Sequence, residues 1–412
     1  MRPFGVELLR ILFVLVAPWL LVSCADRLDE PLSWPPSLSV TVLDVGQGDA
    51  TLVSFSEQTH WLIDGGGSMG GQAEVGRRKL LPALRRQGVQ RLEKVFVSHG
   101  HADHYEGLFA VLDALPVEEL WVPDRRTFDG RAQALLSLSQ TSGTRLREVA
   151  RGHQLQSPSG AFRVELLHPL RDWKSHLSGS DSLVNDSSIV MRIALGDLSF
   201  LFTGDIEAAA EALLVNSGRL GSSTVIKVPH HASRTSSTAA FLNRVDPLLA
   251  VAGIGKGNRF GFPHASVSAR YLARGTSLYW TARHGAMRMT TEGFSLTLER
   301  LPRQGRSVIE RRWSSADLAR WRERRSKGPL AAKPLAQVEA DLLSGRLRGR
   351  GLCPVEPPSV NGYPLASTTR VVENVKVRAH TAVRKQETVL LMEERHWQRN
   401  RGRRGRLSAP WR

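Results

Sequence analysis

The segment SHGHADH, Ser98 to His104, sets three histidines and an aspartate within six positions, directly after the apolar run VFV. Strand side chains repeat every second residue, so His99 and His101 point the same way and both imidazoles can meet one cation. Asp103 and His104 follow as the chain turns and can reach a second cation alongside. Imidazole nitrogen and carboxylate oxygen suit zinc, and also manganese or iron, better than a thiophilic metal. Only two cysteines occur, Cys24 and Cys353, so neither a disulfide framework nor a cysteine-rich zinc site is available.

Other candidates lie downstream. Asp205 ends the β-rich run FLFTGD, and it reads equally as the cap of a helix starting at Ile206. His230 and His231 stand at the end of STVIKVPHH. His168 in LLHP reads as a ligand or as a core histidine.

These residues need elements to deliver them. LSVTVLDV and ATLVSF are β-rich runs separated by GQGD, whose glycines allow positive φ, and THWLIDGGG supplies a third strand. RRKLLPALRRQGV reads as a helix stopped near Gly88, and LEKVFVSHG is the strand that carries the histidines. HYEGLFAVLDALP has helical spacing, VEELWVPD is a short strand, and FRVELLHP is another. DSSIVMRIALGDLSFLFTGD alternates around Gly196-Asp197, which predicts a hairpin. Then IEAAAEALLVNSG (helix), STVIKV (strand), SSTAAFLNRV (helix), DPLLAVAGIG (strand) and ASVSARYLAR (helix) alternate, and SLYWTARHGAMRMTTEGFSLTLER closes as hairpins. Two successive blocks of alternating strands and helices predict a layered α/β sandwich.

Charge is distributed unevenly. The net +17 divides into +15 from Leu301 onward and +2 over the first 300 residues. A nearly neutral body argues against a broad phosphate-binding surface there, while the tail can touch anything anionic. At the N-terminus, Arg2 and Arg10 flank a leader whose run Ile11 to Val22 carries no charge, followed by LVSCA. About a dozen apolar residues form a signal-peptide core and fall short of a span of roughly 20. The pattern resembles a bacterial lipoprotein signal, with Cys24 as the lipid-modified first residue of the mature protein. A plain secretory signal and an N-terminal anchor helix are the alternatives, and all three place the body outside the cytoplasm. The expected organisation is a signal peptide over 1–24, a Pro-rich linker over 25–37, a catalytic domain over 38–300 and a basic, largely disordered tail over 301–412. A nucleic-acid-binding arm is the other reading of that tail.

Seven motifs, LDVGQGDA, LIDGGG, SHGHADH, NDSSIV, FTGD, VPHHASRTSS and NRFGFPH, follow one another between residues 43 and 264. With H-x-H-x-D-H as the hallmark, the chain resembles the metallo-β-lactamase-fold superfamily. Within it, the seven motifs are similar, in order, to those of the hydrolase domain of the ComEC family of DNA-uptake competence proteins. The resemblance implies a four-layer αββα sandwich and two divalent cations, zinc or manganese. It makes His99 and His101 ligands of the first cation, Asp103 and His104 ligands of the second, and Asp205 the bridge. One of His230 and His231, with His231 preferred, completes the second, and the other orients a ligand or contacts substrate.

Asp64 matches an aspartate that would hold a ligand histidine's other nitrogen or a loop amide, although a turn aspartate before three glycines reads the same. Many members of the superfamily have a third histidine where this chain has NDSS. Asn185 or Asp186 would then coordinate weakly, or a water would fill the place. Asp44, Gln47 and Asp49 read as turn residues or as groups beside the site. Ser233, Arg234, Thr235, Ser236, Asn258 and His264 offer donors for phosphate oxygens, with His264 the choice for substrate binding or leaving-group protonation. Asp103, Asp205 and His264 are thus the expected catalytic residues.

Two cations sharing a water would supply hydroxide near neutrality for in-line attack. The expected function is a metal-dependent hydrolase, a phosphodiesterase or nuclease acting on DNA or another phosphodiester, exported and either anchored to the membrane as a lipoprotein or periplasmic or extracellular. It would lack the membrane channel of full competence proteins. The alternative is a non-catalytic, metal-stabilised module that binds DNA or a membrane surface. No protein partner is inferable.

Overall fold

Burial sorts alternate strand residues into different apolar layers, and this sorting defines the architecture. The computed structural model describes residues 36–326 apart from 57, 68–73, 156, 158, 174–176, 178–181 and 303–305, together with 338 and 341. The leader, Cys24, the linker as far as residue 35, Cys353 and the rest of the basic tail lie outside the described residues. The chain divides into two units, 1–355 and 356–412, and every described residue belongs to the first. Among the described residues no helix is long and apolar enough to cross a membrane.

One sheet has nine strands in the order β15 (Val308–Trp313), β14 (Leu296–Leu301), β13 (Ala286–Thr291), β1 (Leu38–Val42), β2 (Thr51–Phe55), β3 (His60–Ile63), β4 (Leu92–Phe96), β5 (Val117–Val122) and β6 (Arg145–Glu148). The other has six: β12 (Ser277–Trp280), β11 (Leu249–Ala252), β10 (Val225–Lys227), β9 (Leu198–Phe202), β8 (Val190–Leu195) and β7 (Phe162–His168). Strands β3 to β6 run parallel, as do β9 to β12. Parallel neighbours need crossovers, which helices provide.

In β1, Leu38, Val40 and Val42 face the layer between the sheets; in β9, Leu198, Phe200 and Phe202 meet them there. The intervening Leu201 goes to the opposite layer, with Leu214, Phe241 and Tyr271 from the helices Ala208–Asn216, Ala239–Val245 and Ala265–Ala273. On the outer face of the first sheet, Leu52, Leu62 and Val95 pack against Leu84, Val111 and Leu135 of three other helices. Three apolar layers between four layers of structure make the αββα sandwich that the resemblance implied. Burying the side chain of one such Leu or Phe contributes about 1.5–3 kcal/mol.

The expected hairpin at Gly196 is present, joining β8 to β9. Its turn meets the β13–β14 turn of the other sheet: the Asp197 N–H donates to the Gly293 carbonyl at 3.1 Å. A Cβ on Gly196 would sit 2.8 Å from that same oxygen, so only glycine permits the approach.

Two expectations need correction. SLYWTARHGAMRMTT is not one run of hairpins, because β12 joins the second sheet beside β11 and the chain then crosses through Thr281–His284 to β13 of the first. The boundary expected at 300 cuts through β14. Beyond it, β15 extends the first sheet, and the helix Ser315–Ser326 follows, with Trp313, Leu318 and Trp321 buried in the layer between the sheets. Arginine-rich composition suggested a tail, yet the arginines ride on the buried rings: Arg311 lies 4.8 Å over Trp313 and Arg325 4.5 Å over Trp321.

Candidate metal centre

The carboxyl ends of parallel strands from both sheets converge on one point, which is where open α/β sheets present their functional residues. SHGHADH leaves β4, Asp64 follows β3, Asp205 follows β9, and His230 and His231 follow β10.

Asp64 organises the side that belongs to the first sheet. It is buried, adopts φ +61°, and accepts three hydrogen bonds: from Ser98 N (2.7 Å), Ser98 Oγ (2.8 Å) and His104 Nδ1 (2.9 Å). Because the Ser98 hydroxyl proton goes to Asp64, His99 Nδ1 must donate to Ser98 Oγ, 3.1 Å away. One aspartate therefore sets both imidazoles with Nδ1 protonated and the Nε2 lone pair turned inward. His99 Nε2 faces His101 Nδ1 at 3.1 Å, a contact that requires a proton or a cation between the two nitrogens.

The second sheet supplies the rest. His231 Nδ1 donates to the Gly253 carbonyl at 2.7 Å, so its lone pair is also on Nε2. That nitrogen lies 3.4 Å from Asp103 Oδ2 and 3.4 Å from Asp205 Oδ2, while His104 Nε2 lies 3.2 Å from the same Asp205 oxygen. His104 Nε2, His231 Nε2 and Asp205 Oδ1 are all buried without a hydrogen-bond partner. Buried polar atoms are almost always satisfied, and three such atoms in one cluster fit a cation that they would share.

Asp49, His104, Asp205 and His231 offer ligand atoms within 4.8 Å of one another, so these four buried residues can hold a metal. Asp49 stands on the Nδ1 side of His231, at 3.3 Å, and its other oxygen pairs with Lys227 Nζ at 2.5 Å. Asp103 stands on the Nε2 side, so it and not Asp49 shares the lone-pair side of the ring. Asp49 is better placed to hold His231 in orientation.

Electrostatics follow from this packing. Burial opposes ionisation of Asp205 and Asp103, but the neighbouring imidazoles outweigh it: His104, His231 and His230 hold Asp205, and His104 and His231 hold Asp103, well below the usual carboxylate range. Burial lowers His104 and His231, and the surrounding carboxylates reverse the effect and raise both. For His99, burial and His104 together push the imidazole well down, toward the neutral form a ligand needs.

The NDSS segment forms a socket for the Asp205 loop. Ser188 Oγ accepts from Asp205 N at 3.0 Å, Asp186 Oδ1 accepts from Glu207 N at 2.7 Å, and Asn185 Nδ2 donates to Glu207 Oε1 at 2.7 Å. Asn185 lies beside His101, and its Oδ1 is buried without a well-formed hydrogen bond. His168 is buried, bonds to the Asp186 carbonyl at 2.8 Å, and burial pushes its imidazole down to about 4; this is the core-histidine alternative. Glu207, which sequence reasoning passed over, also holds His230 Nδ1 at 3.2 Å and leaves His230 Nε2 3.9 Å from Asp205 at the half-buried rim. Its position two residues after Asp205, next to a helix start, was the available signal. Ser98 and Lys227 were missed in the same way.

His230, His231 and Ala232 all have φ between +47° and +66°. Three successive non-glycine residues in the left-handed region are costly, and such strain collects at functional sites. Surrounding bonds hold the run in place: Ser236 Oγ donates to the Pro229 carbonyl at 2.9 Å, and His264 N donates to the Ala232 carbonyl at 3.0 Å. His264 also caps the helix Ala265–Ala273, with Nδ1 accepting from Ser266 N at 3.3 Å. Ser233 Oγ lies 3.0 Å from Thr235 Oγ1 within this loop, and Arg234 is exposed. Asn258 spends both amide atoms on the Phe262 backbone, at 2.8 and 2.9 Å, and so shapes its loop. Asp44, Gln47, Asn258 and Asp103 line a cleft of about 830 Å³.

The glycines explain how these loops approach so closely. A Cβ on Gly48 would lie 2.2 Å from the Asp103 carbonyl, and one on Gly67 2.0 Å from the Ala102 carbonyl.

Similarity to known proteins agrees with this geometry. The chain is similar to ComE operon protein 3 of Bacillus subtilis (28% identity; 55% of this chain, 30% of that protein). It is also similar to recombination protein 2 of Haemophilus influenzae (31%; 62% and 29%) and competence protein ComA of Neisseria gonorrhoeae (30%; 66% and 35%). The chain spans about a third of the length of these relatives. Residues 43–255 match the family model of the metallo-beta-lactamase superfamily, a span that includes the whole ligand cluster. With a hydrolase fold of this kind, its histidine motif directly after β4 and a buried cluster able to bind metal, the chain belongs to the metallo-β-lactamase superfamily.

Proposed function

We propose that the chain is a metal-dependent phosphodiesterase, with DNA as the first substrate to test, working outside the cytoplasm. The observation that carries the reading is the convergence of His104 Nε2, His231 Nε2 and Asp205 Oδ1, all buried and unpartnered, beside Asp103, which lines a cleft. The names of two relatives, a competence protein and a recombination protein, favour a nucleic acid over a β-lactam.

His99, His101 and Asn185 would hold one divalent cation, and Asp103, His104 and His231 the other, with Asp205 between. Bound there, zinc or manganese supplies an acidified water and neutralises charge that develops on phosphate oxygens. The protein's own groups prepare this. Asp64 locks His104, and His99 through Ser98, in the tautomer that presents Nε2; the Gly253 carbonyl does the same for His231. Glu207 holds His230 Nδ1 and leaves Nε2 at the rim, where the ring in its imidazolium form would give its Nε2 proton to the leaving alkoxide and return to neutral imidazole.

The test is hydrolysis of bis(p-nitrophenyl) phosphate and of single- and double-stranded DNA by the chain loaded with zinc or manganese, with Asp103→Ala as control. Turnover that needs metal and falls at least 100-fold in Asp103→Ala is expected. One tightly held metal with no turnover on any phosphodiester would leave the non-catalytic binding module instead. Export is tested apart from this: palmitate labelling that requires Cys24 supports the lipoprotein leader, and its absence removes it.

A further inference from the structure

We propose that the cleft beside Asp103 is a subsite for a second phosphate of the substrate, held by Arg259 and Lys256 with help from Lys79, so that the chain prefers polyphosphodiesters to isolated diesters. The inference rests on the phosphodiester reading above.

Lys79, Lys256 and Arg259 share the cleft wall with the carboxylates Asp103 and Asp44, so its cations outnumber its carboxylates. Among the described residues none of the three forms an ion pair with a carboxylate. Surface cations on this chain are otherwise commonly paired, as Arg77 is with Asp113 and Arg125 with Glu148. Lys79 is held in the wall: Nζ donates to the Val45 carbonyl at 3.1 Å, and a Cβ on Gly46 would lie 2.7 Å from it. Gln47 Oε1 accepts from Gly255 N at 3.1 Å, and its Nε2 is buried with no protein acceptor.

Arg259 is exposed at the cleft and connects to the metal centre through stacked rings. Its guanidinium lies 5.2 Å over the ring of Phe260, Phe260 stacks on Phe262 at 5.4 Å and 19°, and Phe262 stacks on His231 at 6.3 Å and 28°. A column of rings thus runs from a candidate ligand to a planar cation at the cleft. Guanidinium is the side chain best suited to bidentate contact with phosphate, and stacking orders it in advance. A phosphate next to the scissile one would offset the excess positive charge that Lys256 and Arg259 bring to the cleft, which a neutral substituent would not.

Two thymidine 5′-(p-nitrophenyl phosphate) esters, one carrying a 3′-phosphate, differ by a single phosphate and test the subsite in the full, metal-loaded chain. The wild type is expected to prefer the 3′-phosphorylated ester at least tenfold in kcat/KM, chiefly through KM. In Arg259→Ala/Lys256→Ala the ratio falls to near one, and Arg259→Lys lies between. Thymidine 3′,5′-bisphosphate binding by calorimetry reads the same site without turnover, and the double variant should weaken it at least tenfold. No preference in the wild type, or equal bisphosphate binding by wild type and variant, overturns the proposal. Absence of turnover on both esters with bisphosphate binding still lost in the variant overturns the phosphodiesterase reading and leaves the anion site standing.

Discussion

Asp64 and His104 are joined by a 2.9 Å hydrogen bond between a carboxylate and an imidazole that are both buried from solvent. Outer partners of this kind typically alter metal affinity 10- to 100-fold. Asp64→Ala removes the acceptor for His104 and for Ser98, and through Ser98 the alignment of His99. A fall in zinc affinity of about that size is expected, measured by competition with a chromogenic chelator. Unchanged affinity in a folded variant would mean that the loop backbone alone orients the ligands.

Lys227 and Asp49 form a buried pair behind His231. Lys227→Met leaves the carboxylate without its cation in a dry position, a change that costs about 3–5 kcal/mol. Denaturant unfolding is expected to show most of that loss, with much of it recovered in Lys227→Met/Asp49→Asn. A double variant no more stable than Lys227→Met would show that the ammonium acts through its bond to the Val228 carbonyl instead.

Gly48 combines φ +119° with the Asp103 carbonyl at 2.2 Å from any added Cβ, whereas Gly88 has φ +78° and nothing within 4 Å. Gly88→Ala should carry only backbone strain, about 1 kcal/mol, while Gly48→Ala adds displacement of the Asp103 backbone, about 2–4 kcal/mol in all. Thermal unfolding of the two variants separates these effects, and equal losses would refute the close approach.

Glu211 is wholly buried, accepts from Ser237 N and Thr238 N, and has Arg270 and Tyr271 nearby; burial dominates and pushes its carboxyl up to about 7. The folded chain therefore holds a proton that the unfolded chain, titrating near 4.5, has already lost. The contribution of this group to stability is greatest below about 4.5 and declines as pH rises to about 7, by up to about 3 kcal/mol. Glu211→Gln cannot ionise, so its unfolding free energy should lack that decline. Parallel pH profiles for the two proteins would refute the assignment.

Much of this was legible in the sequence because it depends on period and spacing. The β-rich runs and the alternation around Gly196-Asp197 foretold strands and a hairpin, and H-x-H-x-D-H foretold a cluster able to hold a cation. What was not legible depended on long-range packing. Nothing local in DVGQGD shows that Asp49 would meet Lys227, or in TGDIE that Glu207 would hold both Asn185 and His230. The arginine-rich stretch after 300 concealed Trp313, Leu318 and Trp321, because local charge says nothing about a sheet edge and an inter-sheet layer that are supplied from elsewhere. Hydrogen bonding also chose between the readings left open at His168.

The glycine contact between the β8–β9 and β13–β14 turns closes the sandwich at the end away from Asp205. At the other end the sheets meet through His104 on one side and Asp205 and His231 on the other. The Ile189 N–H, donating to the Ser98 carbonyl at 2.9 Å, and the Lys227–Asp49 pair already join the sheets at this end, and a bound ion would add a further tie there. Metal occupancy should then make the two sheets harder to splay at this end, and hydrogen exchange at the carboxyl ends of β4, β9 and β10 should slow on loading while the glycine end stays as it was.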